Sequence, residues 1–273
     1  MNILRKLPAF KTIILCLAGA VSAACLIYLL WLPDVRELKT KNPKTTAFIE
    51  LRREQAQDAG KRFAPRMRWT PIGRISPHLI NAVIVAEDRD FYRHGGIDWE
   101  LTIAALKYDI RKRKFALGAS TITQQLARNI YLSPSKNPLR KIKELLIAWR
   151  MEKHLGKRRI LELYLNVAEW GKGVFGAGAA AETYFGKAAS DLDMEEAGAL
   201  ASVLPSPRKW NPRKKSGYAH QRARDIIRRM KRSGYLDDRD GAPDTPSAPT
   251  EETMSEEEAA ALRPVPPTRS REF

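Results

Sequence analysis

The chain has 273 residues and a net charge of +17, a length that allows one large domain or two small ones. The basic balance points to a polyanionic partner: nucleic acid if the protein is freely soluble, anionic lipid or a phosphate-bearing substrate if it is tethered to a membrane. Both cysteines, Cys16 and Cys25, fall in the apolar N-terminal run, and the four histidines (His78, His94, His154 and His220) are scattered, which excludes a disulfide framework and a His/Cys metal site.

Residues 12–32 are uncharged and mostly apolar; as a helix they would span about 31 Å, close to the thickness of a bilayer core. Arg5, Lys6 and Lys11 precede them, so the positive-inside rule keeps 1–11 in the cytoplasm and exports the body. Val21-Ser-Ala23 also resembles a signal-peptidase site, but the apolar run continues to Trp31, which favours an uncleaved anchor. A polar, proline-punctuated connector follows over 33–70, with a short helix expected around 46–57. Ser76 followed by Pro77 reads as an N-cap and a first helical residue, predicting a helix over 77–86 that carries Glu87 at its end.

Between Leu101 and Phe115, apolar residues mix with Lys107, Arg111, Lys112, Arg113 and Lys114. This reads either as a solvated basic face or as a segment pressed on anionic headgroups. Helical spacing recurs over 139–155, 160–167, 193–204 and 219–233. Period-two alternation is nearly absent, so the fold class is mostly α. Residues 237–258 hold nine acids and one base, a net −8 against +17 overall that leaves +25 on the rest. With so little apolar surface, 237–273 is expected to be a disordered acidic and proline-rich tail, leaving 71–236 as the folded domain.

The stretch most suggestive of chemistry runs from Ala82 to Asp98. An apolar segment delivers Glu87 and Asp88, followed by Phe91, Tyr92, His94 and two glycines. Acids at the end of a rigid element are general-base candidates; the plain alternative is a helix with charges on its wet face.

Glu87, Asp88, Phe91, His94 and Gly96 fill the pattern E-D-x-x-F-x-x-H-x-G, which resembles the first motif of the peptidoglycan glycosyltransferases, glycosyltransferase family 51. Gly118 to Asn129 resembles the second motif, Arg140 to Glu144 the third, Lys157 to Asn166 the fourth and Gly173 to Lys187 the fifth. The short chain is most similar to the monofunctional members. The resemblance implies a lysozyme-like helical domain with a small membrane-facing lobe, preceded by one transmembrane helix. It also implies an inner-membrane, single-pass protein that polymerises lipid II into β-1,4 glycan and releases polyprenyl diphosphate. The implied partners are lipid II, the nascent glycan strand, the membrane and other wall-synthesis or division proteins, without nucleic acid. No built-in cofactor is implied, and no protein cage for a metal is visible, although Mg²⁺ or Mn²⁺ could ride on the substrate diphosphate.

Under that resemblance Glu87 is the expected base, with Glu144 as the second catalytic carboxylate. Asp88, Phe91, His94, Ser120, Thr121, Gln124, Gln125, Arg128, Asn129, Arg140 and Lys141 are the expected substrate-binding residues. Guanidinium matches phosphate oxygens bidentately and ammonium acts as a point charge, so Arg128, Arg140 and Lys141 form the expected diphosphate clamp. Asp88 is expected to hold geometry, Ser120 or Thr121 to cap a helix, and Glu162 and Asn166 to tie helices together. Two departures stand out. Arg128 replaces the family's usual lysine, and Gly178 takes a position where the family usually has Glu, which predicts a looser helix start.

A transpeptidase module is excluded, because S-x-x-K at 133–136 overlaps S-x-N at 135–137 and the two cannot form separate walls of one site. Two rivals remain: a lytic transglycosylase or muramidase using Glu87 as acid, and a non-catalytic membrane scaffold.

Overall fold

The computed structural model describes residues 7–112, 119–132 and 137–233, of which 7–14, 109, 112 and 138 by backbone alone. The expected disordered tail, Gly118, the basic residues 113–114 and the S-x-x-K stretch lie outside the described residues.

A 24-residue helix, α1 (Leu7–Leu30), opens the chain. A 3-10 turn (Arg36–Lys39) and α2 (Ala47–Asp58) follow, then the two-residue strand β1 (Arg66–Met67) and a second 3-10 turn (Ile72–Arg74). Next come α3 (Pro77–Glu87), α4 (Trp99–Lys112), α5 (Ile122–Tyr131), α6 (Pro138–His154) and α7 (Lys157–Val167). The short strands β2 (Glu169–Gly171) and β3 (Val174–Phe175) lead into α8 (Ala177–Phe185), a 3-10 turn (Ala189–Asp191), α9 (Met194–Val203) and α10 (Tyr218–Arg232). The strands form one small sheet in the order β1-β3-β2, with β1 parallel and β2 antiparallel to β3. Strands this short carry no periodic signal, which is why alternation along the sequence missed them.

Among the described residues no helix is long and apolar enough to cross a membrane. In α1 the side chains are described only over 15–30, short of the ~20 residues a span requires. Those side chains are largely exposed, Leu15 at 75% and Leu30 at 67%.

Helix starts follow from local chemistry. Ser76 Oγ accepts from the His78 N–H with Pro77 in the first turn, Thr46 caps α2, Asn137 caps α6 ahead of Pro138, and Asp193 forms a capping box with Glu196 on α9. Each cap satisfies backbone donors that the helix cannot, worth roughly 1 kcal/mol.

Two packed groups make the core: α3 lies against α9 and α10, and α5 against α6 and α7. In α3, Leu79, Ala82, Val83, Ile84 and Val85 are all buried, so this helix is apolar all round because it is central. In α10, Ala219, Ala223, Ile226 and Met230 are buried, a stripe one helical face wide.

The stretch 33–70 is no free tether. Val35 and Leu38 lie in the main core, α2 packs on α5, and Arg52 pairs with buried Glu169 at 3.0 Å. Nor do Glu162 and Asn166 chiefly join helix to helix: they tie α7 to the chain entering α3. The Ile72 N–H donates to Glu162 at 3.1 Å, while Asn166 accepts from the Thr70 N–H at 2.7 Å and donates to the Thr70 carbonyl at 2.8 Å.

Gly178 does not loosen the start of α8. A Cβ there would lie 2.2 Å from Thr70 Oγ1, so the missing side chain is what lets the helix start approach the 68–70 segment. Residue 178 thus has no room for a larger side chain on this backbone.

Candidate active site

Glu87 ends α3 and Asp88 is its C-cap. The Asp88 carboxylate meets His94 Nε2 at 2.8 Å through one oxygen and accepts the Ile122 N–H at 2.9 Å through the other. It therefore places negative charge at the N-terminus of α5, where the helix dipole favours it. The Gly96 N–H donates to His94 Nδ1 at 3.1 Å, which leaves the proton of a neutral imidazole on Nε2, facing Asp88.

The Gly96 carbonyl accepts Thr121 Oγ1 at 2.7 Å and Gln124 Nε2 at 3.3 Å. Gly96 has φ +91°, and a Cβ would lie 2.8 Å from the Glu152 side chain and 3.3 Å from the Ala148 carbonyl; glycine is required for the loop to come this close. Lys157 donates to the His94 carbonyl at 2.6 Å and lies over the Phe91 ring.

The loop after α3 is thus fastened to the starts of α5 and α7, and several expected ligands are fasteners. Phe91 is 0% exposed and offers no surface to a substrate. Asp88, Thr121 and Gln124 are buried in the bonds just described, His94 is 9% exposed at its side chain, and Asn129 is buried too. Holding geometry is the part expected of Asp88, and capping that of Thr121, the N-cap of α5; a rigid base needs a rigid loop, and these motif residues supply that rigidity.

Glu87 is different. Its side chain is 9% exposed. One oxygen accepts Gln125 Nε2 at 2.9 Å and the other accepts Arg222 Nη2 at 3.2 Å. Tyr164 donates its hydroxyl to Gln125 Oε1 at 3.0 Å, which sets the amide so that its NH₂ faces Glu87. Burial pushes the Glu87 carboxyl above the ordinary range, against the pull of Arg222, Gln125 and Arg128. Burial, reinforced by the Glu87 charge, raises the Tyr164 phenol as well.

On the other side of the α5 start, Glu144 is fully buried and accepts from Arg140 at 2.8 Å and Lys141 at 2.6 Å. Lys141 also donates to Ser120 Oγ at 2.9 Å and to Gln124 Oε1 at 3.0 Å, so its three donors all have acceptors. Ser120 joins the two groups, since its carbonyl accepts Gln125 Nε2 at 3.4 Å. The start of α5 therefore lies between Glu87 on α3 and Glu144 on α6, and each carboxylate faces its own cations. Arg128 is half-buried on α5 and adds positive charge near Glu87.

The arrangement offers a partly desolvated carboxylate beside a surplus of cations, which suits proton abstraction coupled to departure of an anionic group. Among the described residues no group of three or more His, Cys, Asp or Glu side chains could hold a metal ion. Two cavities, about 260 Å³ beside Trp31, Tyr131 and Lys143 and about 330 Å³ beside Arg68, Trp69 and Arg74, are lined by neither catalytic candidate. Chemistry, rather than enclosed volume, locates this site.

Sequence reasoning missed Arg222 and Tyr164. Arg222 falls within the Ala219, Ala223, Ile226 stripe of α10, and a basic residue on an apolar stripe was the available signal. Tyr164 lies among the buried residues of α7, where nothing in the sequence sets its hydroxyl apart from its packing neighbours.

The transglycosylase family model matches residues 55–231, beginning within α2 and ending within α10. A biosynthetic peptidoglycan transglycosylase of Nitrosospira multiformis is 43% identical over 189 residues, 69% of this chain and 82% of the relative. One from Aromatoleum aromaticum is 50% identical over 169 residues, 62% of this chain and 74% of the relative. One from an Azoarcus species is 45% identical over 204 residues, 73% and 88% respectively.

Proposed function

The chain belongs to the transglycosylase family, and from that premise we infer that it is a peptidoglycan glycosyltransferase, joining lipid II units into β-1,4 glycan and releasing polyprenyl diphosphate. The observation that carries the reading is Glu87, an acid held nearly dry at the end of a central helix with both oxygens oriented by Gln125 and Arg222.

In the reaction, Glu87 takes the proton of the acceptor 4-hydroxyl as that oxygen attacks the donor anomeric carbon. The bond to the diphosphate breaks and the anomeric centre inverts. A raised pKa makes Glu87 a stronger proton acceptor than an exposed carboxylate. Arg128, Arg140 and Lys141 stabilise the charge that grows on the departing diphosphate. Because Lys141 is already bonded to Ser120, Gln124 and Glu144, phosphate oxygens would replace Ser120 or Gln124 as its acceptors. Glu144 holds Arg140 and Lys141 in place. Mg²⁺ or Mn²⁺, if used, would arrive on the diphosphate, and a chelator tests for it.

The substrate cannot leave its membrane, so the site must sit at one. Residues 12–32 serve as a single inner-membrane anchor with the catalytic body on the extracytoplasmic side. Support comes from the exposed apolar face of α1 and from α4, where Trp99, Ile103, Leu106 and Ile110 are 49–68% exposed at helical spacing, flanked by Lys107 and Arg111. Such a face suits the lipid interface.

The test is purified full-length protein given lipid II, or finished glycan in parallel, with products resolved on gels. Growing strands from lipid II are expected. Cleavage of finished glycan without polymer growth would assign a hydrolase. Glu87→Gln is expected to cut polymerisation by about 10²–10⁴, the usual weight of a general base; a variant within threefold of the parent would remove Glu87 from the role.

A further inference from the structure

Among the described residues outside the five motifs, one side chain hydrogen-bonds to the catalytic carboxylate. Arg222 reaches in from α10, with Nη2 3.2 Å from Glu87 Oε1 and 3.1 Å from the Ala86 carbonyl. Its side chain is 17% exposed. Its Nε is buried without a hydrogen-bond partner, an arrangement that costs stability. An arginine kept only to brace two helices would be expected to satisfy that donor.

We propose that Arg222 is a positioning residue for the glycosyl transfer: the counter-ion that keeps Glu87 ionised and aims its carboxylate while leaving it able to take a proton. The proposal rests on Glu87 as the base.

Three features carry it. A buried carboxylate without a cation keeps its proton and cannot act as a base, and Arg222 is the cation in direct contact. The contact is single. One guanidinium N–H goes to Glu87 and the same nitrogen also serves Ala86, so the second carboxylate oxygen is left to Gln125. A bidentate fork would occupy both oxygens and quench the base. Finally, α10 is held by Ala219, Ala223, Ile226 and Met230 against α9 and α3, so the guanidinium is delivered by a rigid element.

The other groups facing Glu87 do not replace Arg222. Arg128 on α5 acts on it electrostatically, Gln125 is neutral, and Tyr164 on α7 is a neutral phenol whose hydroxyl is given to Gln125. Asp88, the neighbouring acid, is engaged by His94 and the Ile122 N–H. The net balance still leaves Glu87 above the ordinary carboxylate value of 4.5, nearer the working pH of a base.

The experiment measures initial rates of lipid II polymerisation by full-length parent, Arg222→Gln, Arg222→Lys and Glu87→Gln across pH 5.5–9, with melting curves for each. For Arg222→Gln the acid limb is expected to move to higher pH. At pH values below both acid limbs its rate should fall roughly tenfold or more against the parent, the effect of one pKa unit, and return to within about threefold of the parent on the alkaline side. Arg222→Lys, which restores the charge, should bring the limb back toward the parent. A uniform loss at every pH with an unmoved limb would make Arg222 a structural brace and overturn the proposal. So would failure to fold by both Arg222→Gln and Arg222→Met, the latter keeping an aliphatic stem. Failure of the underlying reading looks different: Glu87→Gln would stay active.

Discussion

At the scale of single residues, the site separates groups that act from groups that hold. Because burial lifts Glu87 above 4.5 and only its ionised form accepts a proton, activity should fall as pH drops through a limb lying above the ordinary carboxylate range. A pH–rate profile of kcat/KM, which reports the free enzyme, checks this, and a limb at or below 4.5 would contradict it. Tyr164→Phe removes the bond that sets the Gln125 amide. A loss of up to about tenfold is expected, since one neutral hydrogen bond is worth about 1 kcal/mol, and the protein should melt near the parent temperature. Phe91 belongs with the holders. Its ring is fully buried, edge-on to Tyr92 and His94 and under Lys157. Phe91→Ala should cost about 3–5 kcal/mol of stability, read by denaturant unfolding, whereas a surface ligand would cost almost none.

At the scale of elements, α8 crosses the segment leading into α3 closely enough to leave no slack in the packing. A Cβ at Gly178 would meet Thr70 Oγ1 at 2.2 Å, and Asn166 pins Thr70 from below with bonds to its N–H and carbonyl. Gly178→Ala should destabilise the domain by about 1–3 kcal/mol through overpacking. Combined with Thr70→Ala it should cost less than the sum of the two single changes, as contacting sites do. Strict additivity in a double-mutant cycle would mean that the two residues do not meet. The helix start that looked loose in sequence is in fact a tight one.

At the scale of the whole molecule, the proposed anchor and the catalytic body work on one surface. Deleting 1–32 should leave a foldable domain, because the core is built from Val35 onward, but activity on lipid II in liposomes should drop while activity on detergent-dispersed substrate falls less. The anchor raises effective concentration at the membrane; equal liposome activity of both forms would count against it. Deleting 240–273 should shift the melting temperature little, since an acidic, proline-rich tail has little apolar surface to bury.

Local chemistry was readable from the sequence alone. Ser76 and Pro77 start α3 and the apolar run carries it to Glu87, because capping and periodicity depend on neighbours a few positions apart. The acids and cations on α3, α5 and α6 were singled out by resemblance to the family's motifs, not by capping or periodicity. Tertiary structure decided what depends on distant neighbours. It placed Arg222 against Glu87 across 135 positions, and it buried Phe91, Thr121 and Gln124 as supports. It also brought Thr70 onto Gly178. Residue types cannot distinguish a ligand from a brace, because that difference is set by which side chains close over them when the helices pack.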